Sequence, residues 1–264
     1  MIVRLQLEEK DSMIVKYTEE GWQVITQRAH GIVAAQLAFH WRVSERPERW
    51  LETLLAIAEH DDAENELDGE TLLTATGGPL NFDMKNFELP HCIKLSSLTI
   101  TKSRYVALLT SMHMTFLYQK DKAKIAGAKS FLDEQNTLQN RLRKELGISK
   151  DEGLRVYSLL EWCDALSLLI CKGEMQPEKR SIEIGTGPDA KKYELLQVDE
   201  RTLGVHPWPF EAKTFTINFE YRVLPQLQFA SSKEFRESFL KADVQEKVWK
   251  LTKADMTPKP KEKI

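Results

Sequence analysis

Residues 54–64, LLAIAEHDDAE, decide how the rest of the chain is interpreted. The stretch begins as the end of an amphipathic helix and finishes in side chains of the types that bind metals. His60 and Asp61 follow apolar residues by one helical turn, so both polar groups emerge beside an apolar face. A carboxylate that points into apolar packing is costly unless a cation or hydrogen-bond donors meet it. The pair is therefore a satisfied structural pair or half of a metal site, and taken alone the structural interpretation is favoured.

The composition is that of an ordinary globular protein. Its 264 residues can bury a sizeable core in one or two domains. The formal net charge of -3 gives no basic surface for nucleic acid, and no apolar run approaches the ~18 residues of a membrane span. Cys92, Cys163 and Cys171 are unevenly spaced without a C-x-x-C pair. We interpret them as reduced thiols, which predicts a cytoplasmic protein.

Periodicity along the chain predicts short strands at both ends and helices between them. Two alternating runs, at residues 2–7 and 13–26, predict an N-terminal β-hairpin. Helical spacing predicts helices at about 30–41, 48–60, 102–118, 122–146, 151–171 and 232–241. Residues 68–90 lack a period and contain several Gly and Pro, which predicts a long loop. Short alternating runs within 180–223 predict a small antiparallel sheet.

Ligand-type side chains lie on or beside apolar faces at five places. They are His30, the pair His60 and Asp61, His91, His113 and Asp164. Each histidine taken singly is more often a core or surface residue than a ligand, and we interpret His40 and His206 in that way. One shared cation would compensate all of these buried groups at once, so the set predicts a metal centre between facing helices. Imidazole and carboxylate ligands suit zinc, iron or manganese.

The order of these residues resembles that of a known superfamily. The pattern His30, His60-Asp61, Asp164 on successive helices is similar to the HD-domain superfamily of metal-dependent phosphohydrolases. The resemblance implies that these residues bind one divalent metal, and that His91 and His113, which lie between the pair and the last aspartate, bind a second. The cofactor would then be one or two ions of Fe, Mn, Zn or Co.

Longer stretches are similar to a bacterial family, domain of unknown function 3891. They are ITQRAHGIVAAQLAFHW, AIAEHDDAENEL, RYVALLTSMHMTFLY, LEWCDALSLLIC and VHPWPFEAKTFTINFEYRVLP, and the similarity runs from about residue 13 to residue 241. The chain departs from the family pattern directly after the double aspartate, where Ala63 and Glu64 replace a glycine and a tryptophan. This departure concerns the loop beside the metal, and the resemblance implies no particular substrate.

The predicted fold class is mainly α, an HD-domain-like helical bundle with an N-terminal β-hairpin and a small C-terminal antiparallel sheet, α+β overall. The predicted boundaries place the hairpin at residues 1–26 and an HD-like helical metal-binding core at 27–173. Residues 174–254 would form an α+β extension of the same domain, and 255–264 a disordered tail.

The HD resemblance implies metal-dependent hydrolysis of a phosphate ester or anhydride, with a small phosphorylated molecule or nucleotide as substrate. Asp61 would bind or bridge the metals, and Glu64 would orient the water or protonate the leaving group. Arg28 would contact a phosphate. For Glu64 a solvent-facing glutamate and for Arg28 a surface arginine are equally open interpretations. Lys102 and Arg104 are weaker candidates for the same contact.

Two functions of other classes stay open at this point. The HD scaffold with a di-iron centre supports oxygenases that cleave C–C or C–P bonds, and a histidine-rich ligand set suits that chemistry. The other is a non-catalytic binding module whose C-terminal sheet docks a partner. Its surface would be formed by aromatic residues for which a core position is the favoured interpretation, namely Trp208, Phe210, Phe215, Phe219 and Tyr221.

Overall fold

The structure is a computed structural model that describes residues 13–62, 65–69, 71–84, 88–121, 125 and 127–254. The predicted strand at 2–7, Glu64 and the predicted tail at 255–264 lie outside these residues. The helices of the described ranges are α1 (Gln27–Phe39), α2 (Trp50–Ala58), α3 (Leu89–Lys102), α4 (Arg104–Tyr118), α5 (Ala128–Leu146), α6 (Lys150–Lys172) and α7 (Ser232–Lys241). The strands are β1 (Ile14–Thr18), β2 (Gly21–Ile25), β3 (Ser181–Thr186), β4 (Lys192–Asp199), β5 (Thr202–His206), β6 (Thr214–Leu224) and β7 (Gln245–Lys253).

The strands of the described ranges form a seven-stranded sheet in the order β1-β2-β6-β7-β5-β4-β3. Neighbouring strands are antiparallel except β5 and β7, which are parallel, so the sheet is mixed. The predicted fold class is therefore wrong. The protein is an α/β structure with helices packed on a large mixed sheet, and not a mainly α, HD-domain-like helical bundle with a separate hairpin and a small antiparallel sheet.

Two features of the sequence explain this error. The N-terminal hairpin pairs with the C-terminal strands, with Trp22 of β2 opposite Leu224 of β6. Local alternation of apolar and polar residues carries no information about a pairing strand so far along the chain. Strand β7 was not predicted, because its sequence QEKVWKLTK is mostly polar. It nevertheless lies between β5 and β6 and turns two smaller sheets into one.

Local signals set most helix ends correctly. The Thr26, Ser103 and Ser149 side chains cap α1, α4 and α6 by accepting a hydrogen bond from a backbone N–H of the first turn. The predicted helix at 232–241 is confirmed as α7. Pro90 is a typical start signal and predicts a helix entry at His91, which α3 confirms, but the extent of this helix to Lys102 was not predicted.

Helices α1, α2, α4 and α6 form two layers on one side of the sheet, whereas α7 packs against Val24 and Leu224 on the other side. Helix α1 contacts β6 and α6 contacts β3, and both also contact α2, so α1 and α6 lie between the sheet and the outer helices α2 and α4. Between the middle layer and the sheet, the rings of Trp41, Trp162 and Phe210 pack edge to face in the core. No helix in the described ranges is both long and apolar enough to cross a lipid bilayer.

Candidate metal centre

Five of the predicted ligands come together between the middle and outer helix layers. They are His30 in the first turn of α1, His60 and Asp61 just after α2, His113 on α4 and Asp164 on α6. We call these five residues the metal cluster. The three histidines are at most 1% exposed and Asp164 is 9% exposed, so the cluster is an interior site.

A glycine allows the first two helices to approach closely enough to form the cluster. A Cβ atom on Gly31 would lie only 2.3 Å from the backbone oxygen of Ala58, which no real side chain tolerates. The contact places the start of α1 against the end of α2. As a result, the rings of His30, one residue before Gly31, and His60, two residues after Ala58, lie edge to face with their centroids 4.9 Å apart.

The distances within the metal cluster are those of ligands around one ion. Asp164 Oδ1 lies 3.6 Å from His30 Nε2 and 3.3 Å from His60 Nε2. Asp61 Oδ2 lies 3.5 Å from His60 Nε2, and its Oδ1 lies 3.7 Å from His113 Nε2. Two ligand atoms that each lie about 2.1 Å from a shared ion are about 3 to 4.2 Å apart. The five side chains form two overlapping groups of three, His30-His60-Asp164 and His60-Asp61-His113, each with the spacing of metal ligands.

Hydrogen bonds behind the rings fix the orientation of two imidazoles. His30 Nδ1 lies 2.7 Å from Ser167 Oγ, and the Ser167 hydroxyl already donates its proton to the backbone oxygen of Asp164. Nδ1 of His30 must therefore donate to Ser167. His60 Nδ1 lies 2.8 Å from the carbonyl oxygen of Ile57, which can only accept. In the neutral form of both rings the lone pair is then on Nε2, the atom that faces the cluster.

The atoms that face each other inside the cluster lack hydrogen-bond partners. This holds for Nε2 of all three histidines and for Asp164 Oδ1. The third ring is held from behind, as its Nδ1 lies 3.4 Å from the hydroxyl of Tyr157. His60 Nε2 and Asp164 Oδ1 are close, but their relative orientation is not that of a hydrogen bond. Buried donors and acceptors without partners are costly, and a metal ion would satisfy all of them.

The electrostatics of the cluster also call for a positive charge. Burial alone would lower the pKa of His60, but the carboxylates of Asp61 and Asp164 outweigh it and raise that pKa to about 10. Burial likewise opposes ionisation of the two carboxyl groups, yet the neighbouring imidazoles hold the pKa values of Asp61 and Asp164 below the usual range. A proton on His60 or a metal ion can supply the charge, and the two compete.

Access to the cluster is from the side of Asp61. Its side chain is 28% exposed, compared with 12% for Asp164 and at most 1% for the histidines. Arg28 lies at this opening and forms a two-pronged ion pair with Asp62, at 3.1 and 3.2 Å. Arg28, which was predicted to contact a phosphate, therefore lies beside the site. Its guanidinium is paired with the carboxylate of Asp62.

The remaining predicted residues lie elsewhere. His91 is half-buried in the first turn of α3 and belongs to neither group of mutually close ligand atoms that the described residues form. Lys102 pairs with Glu59 and Arg104 with Glu145. His40 stacks on Phe215. His206, at the end of β5, is also outside the cluster, and Glu64 lies outside the described residues.

Three residues near the cluster were missed in the sequence. Ser167 and Tyr157 hold His30 and His113 from behind. Burial and the nearby charge of Asp164 raise the pKa of Glu161, which is half-buried one turn before that ligand. All three share a helical face with Asp164, at spacings of three and seven residues. This spacing was the available signal, although it is no different from that of ordinary core positions.

The aromatic residues proposed for partner docking lie on the core side of the sheet or at its margin. Phe210, Phe215 and Phe219 are at most 8% exposed, and Trp208 and Tyr221 are partly buried against the same core. Phe215 stacks on His40 beneath the end of α1. These side chains stabilise the packing of helices on the sheet and do not form an exposed patch.

Comparison with known proteins identifies one family. The profile described as "Protein of unknown function (DUF3891)" matches residues 13–226, which is most of the chain. The matched segment begins just before β1 and extends just past β6, so it includes every residue of the metal cluster. No curated protein and no solved structure shows a significant match.

Proposed function

The chain belongs to the DUF3891 family, and we propose that it is a metal-dependent hydrolase of a phosphate ester or anhydride. The observation that supports this most is the convergence of three imidazole Nε2 atoms and Asp164 Oδ1, all buried without hydrogen-bond partners, with the carboxylate of Asp61 beside them. The order of His30, His60-Asp61 and Asp164 along α1, α2 and α6 supports placing the chain in the HD-domain superfamily.

We propose a site for one ion. The described residues form two overlapping triads, His30-His60-Asp164 and His60-Asp61-His113. Both use His60, whose Nδ1 is bound to the carbonyl of Ile57 and whose Nε2 has one lone pair. A single lone pair binds a single ion, so the two triads describe one coordination sphere. Five protein ligands leave one position of an octahedron for a water molecule or a substrate oxygen.

A bound divalent cation would lower the pKa of a water ligand towards neutrality and polarise a phosphoryl oxygen. The side chains of this chain would supply the remaining requirements. Ser167 and the Ile57 carbonyl hold two imidazoles in the neutral tautomer that can bind a metal. Asp61, as the most exposed ligand, borders the side from which a substrate arrives. Arg28 is held beside this opening by Asp62, and its guanidinium would bind a phosphoryl oxygen of the substrate in place of that carboxylate.

The di-iron oxygenase is the weaker proposal. It requires ligands for a second ion, and the described residues assemble one ion-sized cluster in which His60 is shared. His91 would have to move into the site to serve a second metal. A metal-binding protein without catalysis has the same ligand set, and only an activity measurement separates it from the hydrolase.

The test is hydrolysis of p-nitrophenyl phosphate, bis(p-nitrophenyl) phosphate and a panel of nucleotides by protein loaded separately with Mn, Co, Zn or Fe. We expect at least one substrate to be hydrolysed, and Asp61→Asn to reduce the rate to background. His40→Gln, a histidine substitution outside the metal cluster, is the matched control and should keep the rate. Unchanged hydrolysis by Asp61→Asn, or no hydrolysis with any metal, would overturn the proposal.

A further inference from the structure

A second polar region, open to solvent, lies between the C-terminal end of α6 and the inner face of the sheet. It is a cleft of about 320 Å³ lined by the last residues of α6 and by β1, β2, β4, β6 and β7. We call it the sheet cleft. Small-molecule sites in proteins commonly have volumes of about 300 to 1,000 Å³, so the cleft is large enough for a compact ligand.

At the sheet cleft, the inner face of the sheet carries polar side chains. In β7, Lys247 lies opposite Phe219 and Trp249 opposite Ile217, and paired residues of antiparallel strands share a face. Phe219 and Ile217 are buried in the core, so Lys247 is on the inner face. Lys16 and Gln23 are likewise opposite each other in the hairpin and also line the cleft. The inner face, apolar beneath α1 and α6, therefore becomes polar and basic here.

The charges that line the sheet cleft are mainly positive. Three lysines line it, Lys16, Lys172 and Lys247, and among the described lining residues Glu200 is the acidic one. Lys172 is neutralised by Glu174 at 2.5 Å. Lys16 and Lys247 form no ion pair with any described residue. A Cβ on Gly173 would lie 3.0 Å from Lys16 Nζ, so Lys16 also faces the C-terminal end of α6, which carries about half a negative charge. The balance still favours an anion.

The walls of the cleft are aromatic. Phe219, Tyr221 and Trp249 line it, and the ammonium of Lys247 lies 4.8 Å from the centre of the Trp249 ring. Trp249 is only 4% exposed, and its indole N–H has no hydrogen-bond partner. A buried N–H donor normally finds an acceptor. The cleft thus combines aromatic walls, one buried N–H donor without a partner and two exposed lysines that form no ion pair with a described residue.

We propose that the sheet cleft binds a small molecule with an anionic group attached to a planar ring. Lys16 and Lys247 bind the anion, and the aromatic walls contact the ring. Aromatic carboxylates and nucleoside monophosphates share this chemistry. The site is separate from the metal cluster, because Cys171 at the cleft follows Asp164 by seven residues, or about two helical turns.

The test is calorimetric titration with four probes. Indole-3-acetate and adenosine monophosphate carry the anion and the ring, and indole and adenosine carry the ring alone. We expect at least one anionic probe to bind and its uncharged counterpart to bind at least about tenfold more weakly, as the loss of a charged contact implies. Which anionic probe binds more tightly distinguishes the two sources of the ligand.

Three variants locate the binding site. The double variant Lys16→Met with Lys247→Met should weaken binding at least about tenfold, and Trp249→Phe, which keeps a ring but removes the N–H, should weaken it by a smaller factor. Lys250→Met is the matched control, since Lys250 is exposed on the same strand and pairs with Thr216 on the outer face. It should bind as the unmodified protein does.

The outcomes that overturn the proposal are distinct. No binding of either anionic probe, or equal binding by the double lysine variant, would contradict it. If the double variant fails to fold, as its melting curve would show, Trp249→Phe decides alone, and unchanged affinity would then contradict the proposal. Binding that is lost in Asp61→Asn but kept in the lysine variant would assign the probe to the metal cluster. Retained binding in Asp61→Asn supports the sheet cleft whether or not the hydrolase proposal holds.

Discussion

The protein has two polar regions of opposite sign, a buried one and an open one. In the metal cluster, two carboxylates and three imidazoles face one another, an arrangement for which we propose a bound cation. In the sheet cleft, lysines without acidic partners face aromatic walls and favour an anion. The first is enclosed by four helices, and its ligand atoms lie within a few ångströms of each other. The second lies at the open end of a sheet. The comparison shows that the charged groups of the metal cluster are buried against one another, whereas Lys16 and Lys247 at the sheet cleft remain exposed, so only the first region bears a cost of burying charge.

Removing a side chain of the metal cluster should produce the largest difference between the two regions, measured as metal affinity. Asp164→Ala takes away an oxygen that lies within 3.6 Å of two imidazole nitrogens. We expect metal affinity to fall by more than about 100-fold, since loss of a supporting group alone costs about 10- to 100-fold. Competition with a fluorescent chelator measures this affinity.

The double lysine variant of the sheet cleft provides the control for that measurement, and it should bind metal normally. If it lost metal to the same extent as Asp164→Ala, the two regions would not be independent.

The pH dependence of stability should come from the metal cluster in the metal-free protein. Burial opposes protonation of His60, but Asp61 and Asp164 raise its pKa to about 10, from an unfolded value of about 6.5. The stabilisation by this proton is then complete below about pH 6.5 and is lost as the pH rises to about 10. We expect the urea midpoint of chelator-treated protein to fall between pH 7 and pH 10.

The metal-loaded protein should show a flatter profile over the same range, because the ion supplies the charge in place of the proton. Metal-free His60→Gln should also lack the decline. A urea midpoint of the metal-free protein that rises over this range would show that His60 does not carry the proton.

A smaller effect is expected from the group that orients His30. In Ser167→Ala the Nδ1 atom of His30 loses its hydrogen-bond acceptor, so the ring is no longer fixed with its Nε2 lone pair towards the ion. Metal affinity should fall by about 10- to 100-fold with little change in the fold. Ser97→Ala, an exposed serine on α3, is the control. Identical metal affinity in the two variants would mean that the hydrogen bond does not orient the ligand.

Alanine substitutions at two glycines that pack against backbone oxygens should affect metal binding differently. A Cβ on Gly31 would lie 2.3 Å from the oxygen of Ala58, and one on Gly21 would lie 2.1 Å from the oxygen of Leu224. Both alanine variants should be less stable by about 1 to 3 kcal/mol. We expect only Gly31→Ala to weaken metal binding by the folded protein, because only that contact positions His30 beside His60.

Gly153→Ala is the control for these glycine variants. The nearest atom to its added Cβ, Arg143 Cδ, would be 3.5 Å away, which is an ordinary contact. This helical position should gain up to about 1 kcal/mol in stability. Weaker metal binding in Gly21→Ala than in Gly31→Ala would contradict the account of how α1 and α2 assemble the cluster.

The helical half could be predicted from the sequence because its signals are local. The spacing of apolar residues around His30, His113 and Asp164 marks buried faces, and ligand-type side chains on such faces are unusual enough to suggest a common cation. The structure brings five of the six predicted metal ligands together. His91 was included as a ligand-type side chain at a predicted helix entry, and its position in the first turn of α3 leaves it outside both ligand groups of the described residues.

The sheet half could not be predicted in the same way. The pairing of Trp22 with Leu224 depends on tertiary contacts, and Lys16 and Lys247 look like ordinary exposed lysines until the register places them on the inner face. Strand β7 alternates only weakly, so its insertion beside β5 was not visible. Ser167 was missed for a related reason, because a serine near a ligand has no signature until its hydroxyl is seen to accept from His30.

The measurement that tests the central claim most directly is the metal-to-protein ratio, by elemental analysis of protein purified without added metal and of its His60→Gln variant. His60 belongs to both ligand triads, and its Nε2 can bind one ion. We predict one equivalent of a transition metal in the unmodified protein and almost none in the variant. Two equivalents in the unmodified protein, or a full equivalent retained by His60→Gln, would contradict the proposal that these five side chains bind a single ion.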